Sequence, residues 1–106
     1  MLSEVINKST VIITEEKKNN IIKKIESCVK NCLNQTGVEI NFEDNYPLYF
    51  EGKEIEEAIF VNLEVHNRKK DKKIYMQLRN KIKKIYIEEL NISEDKIFIQ
   101  FDDYED

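Results

Sequence analysis

The sequence is poor in the residues that interrupt or cross-link a chain. Its 106 residues include two glycines, one proline, two cysteines, one histidine and no tryptophan. Without a Pro- or Gly-rich linker to divide it, a chain of this length is expected to fold as one domain, residues 1–106. No apolar run approaches the roughly 20 residues of a membrane-spanning helix, and the polar start does not resemble a signal peptide. We therefore expect a cytoplasmic protein that makes no membrane contact.

The sequence also lacks a dominant charge. Charged residues make up 36% and hydrophobic residues 41%, which is typical of a soluble globular domain. The 17 Lys and Arg against 21 Asp and Glu give a net charge of −4, so binding to nucleic acid is disfavoured. One basic run stands out: Arg68, Lys69, Lys70, Lys72 and Lys73. It fits the solvated first turn of a helix, and the alternative is a site for a small anionic ligand.

The two cysteines lie one helical turn apart, at Cys28 and Cys32. A disulfide across one turn would be strained, and four suitable metal ligands are not near in the sequence. We interpret them as small apolar residues of a helix face, with a reactive thiol pair as the alternative. The sequence predicts no metal and no cofactor.

Hydrophobic periodicity predicts two helices and four main strands. One helix runs from about Thr14 to Leu33 and the other ends near Leu90, while strands are expected near the start of the chain, over 38–43, over 58–66 and in "KIFIQF". A hairpin containing Pro47 and Gly52 lies between the halves, and "DDYED" is expected to be solvated. The order fits two consecutive βαβ units in one four-stranded sheet with both helices on one face, or a ferredoxin-like βαββαβ. Periodicity does not separate these two.

Two stretches resemble a known family. "EELNISEDKIFIQFDD" is similar to the last helix, turn and strand of the tautomerase superfamily, in its macrophage migration inhibitory factor branch. "YFEGKEIEEAIFVNLEVHNR" resembles a group of small uncharacterised bacterial proteins with the same fold. The matching positions are Leu90, Ile92, Ser93, Asp95, Ile97, Phe98 and Ile99 for the first, and Val61, Leu63, Val65 and Arg68 for the second.

The resemblance implies the first architecture, assembly as a homo-trimer, and a particular chemistry. In that superfamily an amino-terminal proline, exposed by removal of the initiator methionine, moves a proton between carbon and oxygen of an enol or keto acid. Here the second residue is Leu2, so Met1 is expected to be retained. The family's lysine falls near Gln35 and its pocket tyrosine on Phe98. Because the sequence ends at Asp106, we expect the branch's carboxyl-terminal tail to be missing.

We therefore expect a tautomerase-superfamily protein of unassigned function that lacks the amino-terminal-proline activity. One alternative is a divergent isomerase that uses the Met1 amine, or His66 with Arg68. The other is a ferredoxin-like module that binds an anion or RNA through residues 68–73. The pocket-lining candidates are Leu2, Gln35, His66, Arg68 and Phe98.

Overall fold

The computed structural model describes residues 4–66 and 72–104, and it contains the predicted helices and strands. The elements are β1 (Glu4–Ser9), α1 (Glu15–Leu33), β2 (Glu39–Glu43), β3 (Leu48–Phe50), β4 (Lys53–Ile55), β5 (Ile59–His66), α2 (Lys72–Leu90), a single 3-10 turn (Glu94–Lys96) and β6 (Ile97–Tyr104). In this part of the chain neither helix is long and apolar enough to cross a membrane.

Helix α1 begins and ends where its sequence predicts. The Thr14 hydroxyl accepts a hydrogen bond from the Lys17 amide at 3.3 Å, which satisfies one of the free N–H groups of the first turn. Asn34 ends the helix in the left-handed conformation, with φ 53°. The face towards the sheet is aliphatic and buried: Ile21, Ile25, Val29 and Leu33. Periodicity and caps therefore suffice to place this helix.

The sheet order decides between the two predicted architectures. The strands are ordered β2-β1-β5-β6. Strands β1 and β2 pair directly and in parallel, as do β5 and β6, while β1 and β5 are antiparallel. In a ferredoxin-like split βαβ, another strand would lie between each parallel pair. The structure therefore confirms two consecutive βαβ units, and the ferredoxin-like alternative is wrong.

The two faces of the sheet differ sharply. Both helices cover one face, where Val5, Val61, Leu63 and Val65 are fully buried. Because side chains alternate along a strand, their neighbours point to the other face, which we call the open face. It carries Glu4, Ile6 and Lys8 from β1, Glu39, Asn41 and Glu43 from β2, Phe60, Asn62 and Glu64 from β5, and Phe98, Gln100 and Asp102 from β6.

Strand β6 is longer than the predicted strand "KIFIQF" and extends into the acidic end. The strand continues to Tyr104 because β5 offers a parallel partner as far as His66. Asp102 accepts hydrogen bonds from Asn62 Nδ2 at 3.1 Å and from Gln100 Nε2 at 3.3 Å. The residues 102–104 of "DDYED" are thus part of the sheet.

Strands β3 and β4 form a separate two-stranded hairpin. Its tip is Glu51 and Gly52, with φ 51° and 78°. Positive φ at both central positions gives the turn a twist that suits a two-residue hairpin. The hairpin carries the apolar residues Leu48, Tyr49 and Phe50 outside the main sheet.

Among the polar side chains buried between the sheet and the helices, Asn7 of β1 and Tyr86 of α2 stand out. Asn7 is fully buried, and within the described part of the chain neither its Oδ1 nor its Nδ2 has a hydrogen-bond partner. The Tyr86 hydroxyl is in the same situation, and burial raises the pKa of Tyr86 far above its usual value. Such groups reduce stability, because they exchange hydrogen bonds to water for none.

Candidate functional site

The candidate site lies where β1 begins. Three of its predicted residues, Met1, Leu2 and Arg68, lie outside the described residues, and so do Lys69 and Lys70. His66 is the last residue of β5, in register with Tyr104. Lys72 and Lys73 are exposed in the first turn of α2, as the solvated-turn interpretation predicts for this part of the basic run.

Gln35 is placed near the start of β1. It follows the α1 cap and precedes Glu39 by four positions, and Glu39 pairs with Glu4. The side chain is 6% exposed, and it lines a cavity of about 370 Å³ with Thr36 and Val38. The loop between α1 and β2 therefore carries a buried, uncharged amide four positions before the start of β2.

Phe98 lies at the opposite end of the sheet from the start of β1. It pairs with Phe60, which pairs with Lys8 at the far end of β1. From Glu4 this is about 13 Å along the strands and two strands across. Among the described residues of one chain, Phe98 is therefore far from the start of β1.

Four carboxylates form a row on the open face beside the start of β1. Glu39 pairs with Glu4, Glu4 with Glu64, and Glu64 with Asp102. The row thus crosses all four strands, and directly opposite side chains in a sheet have Cβ atoms about 4.5–5.5 Å apart. We call these residues the carboxylate row. Four like charges on neighbouring strands are expected to attract cations and to repel anions.

The carboxylate row was missed by sequence reasoning. Each of its members reads as an ordinary polar residue of an alternating strand, and they lie far apart in the chain. Only the strand order and register place them side by side. The alternation at Glu39 and Glu64 was visible in the sequence, but the pairing that joins them was not.

An apolar cleft lies between the hairpin and the open face. Its volume is about 200 Å³, and it is lined by Leu48, Tyr49, Phe50, Ile55, Phe60 and Phe98. Tyr49 is 66% exposed and Phe50 is 61% exposed. Two large aromatic side chains left in water on one hairpin are typical of a surface that contacts another protein. We call this region the aromatic cleft.

Comparison with known proteins identifies the architecture. No protein-family model and no curated protein matches the sequence. The structure of Leishmania major MIF2 superposes with a TM-score of 0.86 at 16% identity, over 97% of this chain and 89% of that one. N1, a member of the cis-3-chloroacrylic acid dehalogenase family, gives 0.85 at 12% identity, over 96% and 75%. A fused 4-OT symmetric trimer gives 0.77 at 15% identity, over 96% and 87%.

The chain therefore has the tautomerase fold, the architecture shared by these macrophage migration inhibitory factor, 4-OT and dehalogenase proteins. At 12–16% identity the shared property is the fold alone. The chemistry has to be argued from the residues that this chain places on it.

Proposed function

We propose that this chain is a homotrimeric tautomerase-fold protein that does not catalyse tautomerisation with an amino-terminal amine. The observation that carries the proposal is the carboxylate row beside the start of β1. An amine base has to be unprotonated near neutral pH, and the substrates of this chemistry are anionic enol or keto acids. Four carboxylates at this place favour the ammonium form and repel such substrates.

The residues that would assist the reaction support the same conclusion. A forming enolate needs a cation or a hydrogen-bond donor held in place. Gln35 offers an amide in place of the family's lysine, and Phe98 offers no hydroxyl in place of its tyrosine. The sequence's one proline, Pro47, precedes the hairpin strand β3. Base, cation and hydroxyl donor act as a unit, so their joint replacement is expected to abolish the activity.

The proposed trimer rests on the surfaces that a single copy leaves open. Strands β2 and β6 are edge strands of the sheet, and proteins normally protect such edges from uncontrolled pairing. The aromatic cleft adds exposed apolar area beside β6. A closed symmetric assembly covers both features, and the fused 4-OT neighbour is a symmetric trimer.

The catalytic half of the proposal is tested with phenylpyruvate. We expect the wild-type chain to leave the keto–enol rate at the buffer value, and intact-mass measurement to find Met1 retained. Leu2→Pro alone should gain little. Leu2→Pro combined with Glu4→Gln and Glu64→Gln should be faster than Leu2→Pro alone, because the opposing charge is reduced.

The matched control combines Leu2→Pro with Glu88→Gln and Glu89→Gln, which removes the same charge from α2. Equal rates for the two triple variants would show that the carboxylate row does not oppose the reaction. Wild-type turnover that is lost when the α-amino group is carbamylated would overturn the proposal as a whole.

The assembly half is tested by light scattering. We expect the mass of three chains at micromolar concentration. Phe50→Glu should shift the mass towards that of the monomer, because burying a charge in the interface costs free energy. Met76→Glu is the control, since Met76 is 63% exposed on α2. A wild-type monomer, or equal effects of both variants, contradicts the trimer built on the aromatic cleft.

A further inference from the structure

The charges of the chain are divided between its helices and the rest of the molecule. Helices α1 and α2 carry ten lysines and one arginine against five glutamates. The other described residues carry 13 carboxylates against three lysines. The helices therefore have a formal charge of +6 and the remainder a formal charge of −10. The net charge of −4 does not describe the surface that a partner meets at the helices.

The cations of the helices lie on the side that faces away from the sheet. Nine of the eleven are exposed, and the other two, Lys18 and Lys83, are half-buried. The side chains that the two helices bury are all uncharged. We call the exposed side of the two helices, residues 15–33 and 72–90, the basic surface.

The two helices lie side by side, and a groove between them is lined by cations. Lys24, early in α1, is 4.0 Å from Glu88 near the end of α2. Lys81 Nζ donates to Cys32 Sγ, near the end of α1, at 3.8 Å. The helices are therefore antiparallel, and Lys24, Lys81 and Lys84 line a groove of about 340 Å³ between them.

Two carboxylates accompany the lysines of this groove. Lys24 Nζ is 3.4 Å from Glu89 Oε2, and Lys84 Nζ is 3.8 Å from Glu88 Oε1. Lys24, Lys84 and Glu88 are exposed, and exposed ion pairs contribute only about 0–1 kcal/mol. These lysines are therefore available to another anion at a small cost in stability.

An extended polyanion fits the size and composition of the basic surface. Each helix has 19 residues and is about 28 Å long, whereas a nucleic-acid duplex presents one charge per roughly 1.7 Å of its axis. Lysine binds phosphate as a point charge, while bidentate reading of bases depends on planar side chains such as arginine. With ten lysines and one arginine, the surface suits phosphates and not base edges.

The apolar residues of the helices disfavour two other partners. Among the described helix residues, Met76 is the one exposed large hydrophobic side chain. Proteins that bind single strands stack the bases on exposed aromatic rings, and Tyr86 is fully buried. Helices that bind a membrane surface insert an apolar face into it, whereas the apolar faces of α1 and α2 cover the sheet.

We propose that the basic surface binds the phosphate backbone of double-stranded nucleic acid without sequence preference, and that Lys24, Lys81 and Lys84 contact phosphates. The carboxylate row on the open face is repelled by the same phosphates, so the chain approaches a duplex with its helices first. We expect a Kd of about 10⁻⁶–10⁻⁴ M, the usual range of non-specific binding. The proposed trimer uses the hairpin and the sheet edges, so it leaves the basic surface free.

The experiment measures the fluorescence anisotropy of a labelled DNA duplex as the full chain is added. For three neutralised phosphates, the affinity should fall roughly 40-fold between 50 and 200 mM salt. The combined variant Lys24→Gln, Lys81→Gln and Lys84→Gln should bind about 10-fold or more weakly at 100 mM salt. Its salt dependence should also be nearly lost, because each phosphate contact contributes a slope of about 1.

The matched control combines Lys8→Gln, Lys53→Gln and Lys96→Gln, the three lysines that the described residues outside the helices contain. It changes the net charge by the same amount, but at 0.1 M salt charges are screened beyond about 10 Å. We therefore expect less than about a threefold loss of affinity. Circular dichroism shows whether each variant folds. If the first triple variant does not fold, Lys81→Gln alone has to reduce the salt slope by about 1.

Several outcomes would overturn the proposal. One is the absence of binding at 50 mM salt, and another is an equal loss of affinity in the two triple variants, which would mean that net charge alone matters. Tighter binding to phosphatidylserine vesicles, to poly-glutamate or to a single strand than to the duplex would assign the basic surface to a different partner. None of these results depends on tautomerase activity.

Discussion

The covered face and the open face of the same sheet follow different rules. On the covered face, Val61 and Leu63 pack against helices and Asn7 is an exception. On the open face, the same strands carry carboxylates, amides and two phenylalanines, all partly accessible. The covered face is stabilised by the exclusion of water, and the open face mainly carries charged and hydrogen-bonding side chains. The comparison indicates that the fold is determined on one face, while any function of the sheet has to be sought on the other.

The largest change in the free energy of unfolding should come from a substitution on the covered face. We expect Leu63→Ala to lower the free energy of unfolding by about 2–5 kcal/mol, because it leaves a cavity among well-packed aliphatic side chains. Gln100→Ala on the open face is the comparison, with an expected change of less than about 0.5 kcal/mol. Urea unfolding at one fixed protein concentration measures both. Similar losses for the two variants would mean that the open face is as tightly packed as the covered one.

Asn7→Val tests the exception on the covered face. Replacing a buried amide that lacks partners with an apolar side chain should raise the free energy of unfolding by about 1–3 kcal/mol. Asn62→Val on the open face should give no such gain, since Asn62 Nδ2 donates to Asp102. A loss of stability in Asn7→Val, again by urea unfolding, would show that Asn7 is satisfied in solution.

Tyr86 makes the covered face sensitive to alkaline pH. The pKa of Tyr86 is raised by burial, so the unfolded chain releases this phenolic proton first, at its usual pKa of about 10. Stability is therefore fully present below pH 10 and falls as the pH rises above it, by about 1.4 kcal/mol at pH 11. Tyr86→Phe should remove this part of the pH dependence, and Tyr49→Phe should not. Thermal unfolding between pH 8 and 11 compares them.

The smallest change in the free energy of unfolding should come from a substitution in the carboxylate row. Like charges opposite each other in a sheet reduce stability by roughly 0.2–1 kcal/mol, so Glu64→Gln should stabilise the protein by that amount. The gain should shrink in 1 M salt, where charges are screened within about 3 Å. Glu26→Gln on α1 is the control. If Glu64→Gln destabilises the protein equally at low and high salt, the row makes attractive contacts that charge alone does not explain.

How much the sequence predicts depends on the range of the interactions. Helix α1 is determined by local interactions. The cap at Thr14 and the aliphatic stripe lie within one segment of the sequence, and the sequence predicts both. The choice between two architectures depends on which strands pair, and alternation in β2 or β5 carries no such information. For the same reason the length of β6 was underestimated, and the neighbours of Glu4 were not predicted. The prediction that Gln35 lines a pocket rests on the resemblance to a family alone and stays a prediction.

The direct parallel pairing within each half also has a consequence for the order of folding. Val5 pairs with Ile40 across one helical crossover and with Leu63 on the far side of the hairpin. Each βαβ half can close over a shorter loop than the contact between the halves, and shorter loops close at a lower entropic cost. We therefore expect the antiparallel pairing of β1 with β5 to be the last pairing of the sheet to form. Until it does, β1 and β5 both present unpaired edges, and two chains that meet at this stage could exchange halves through the hairpin.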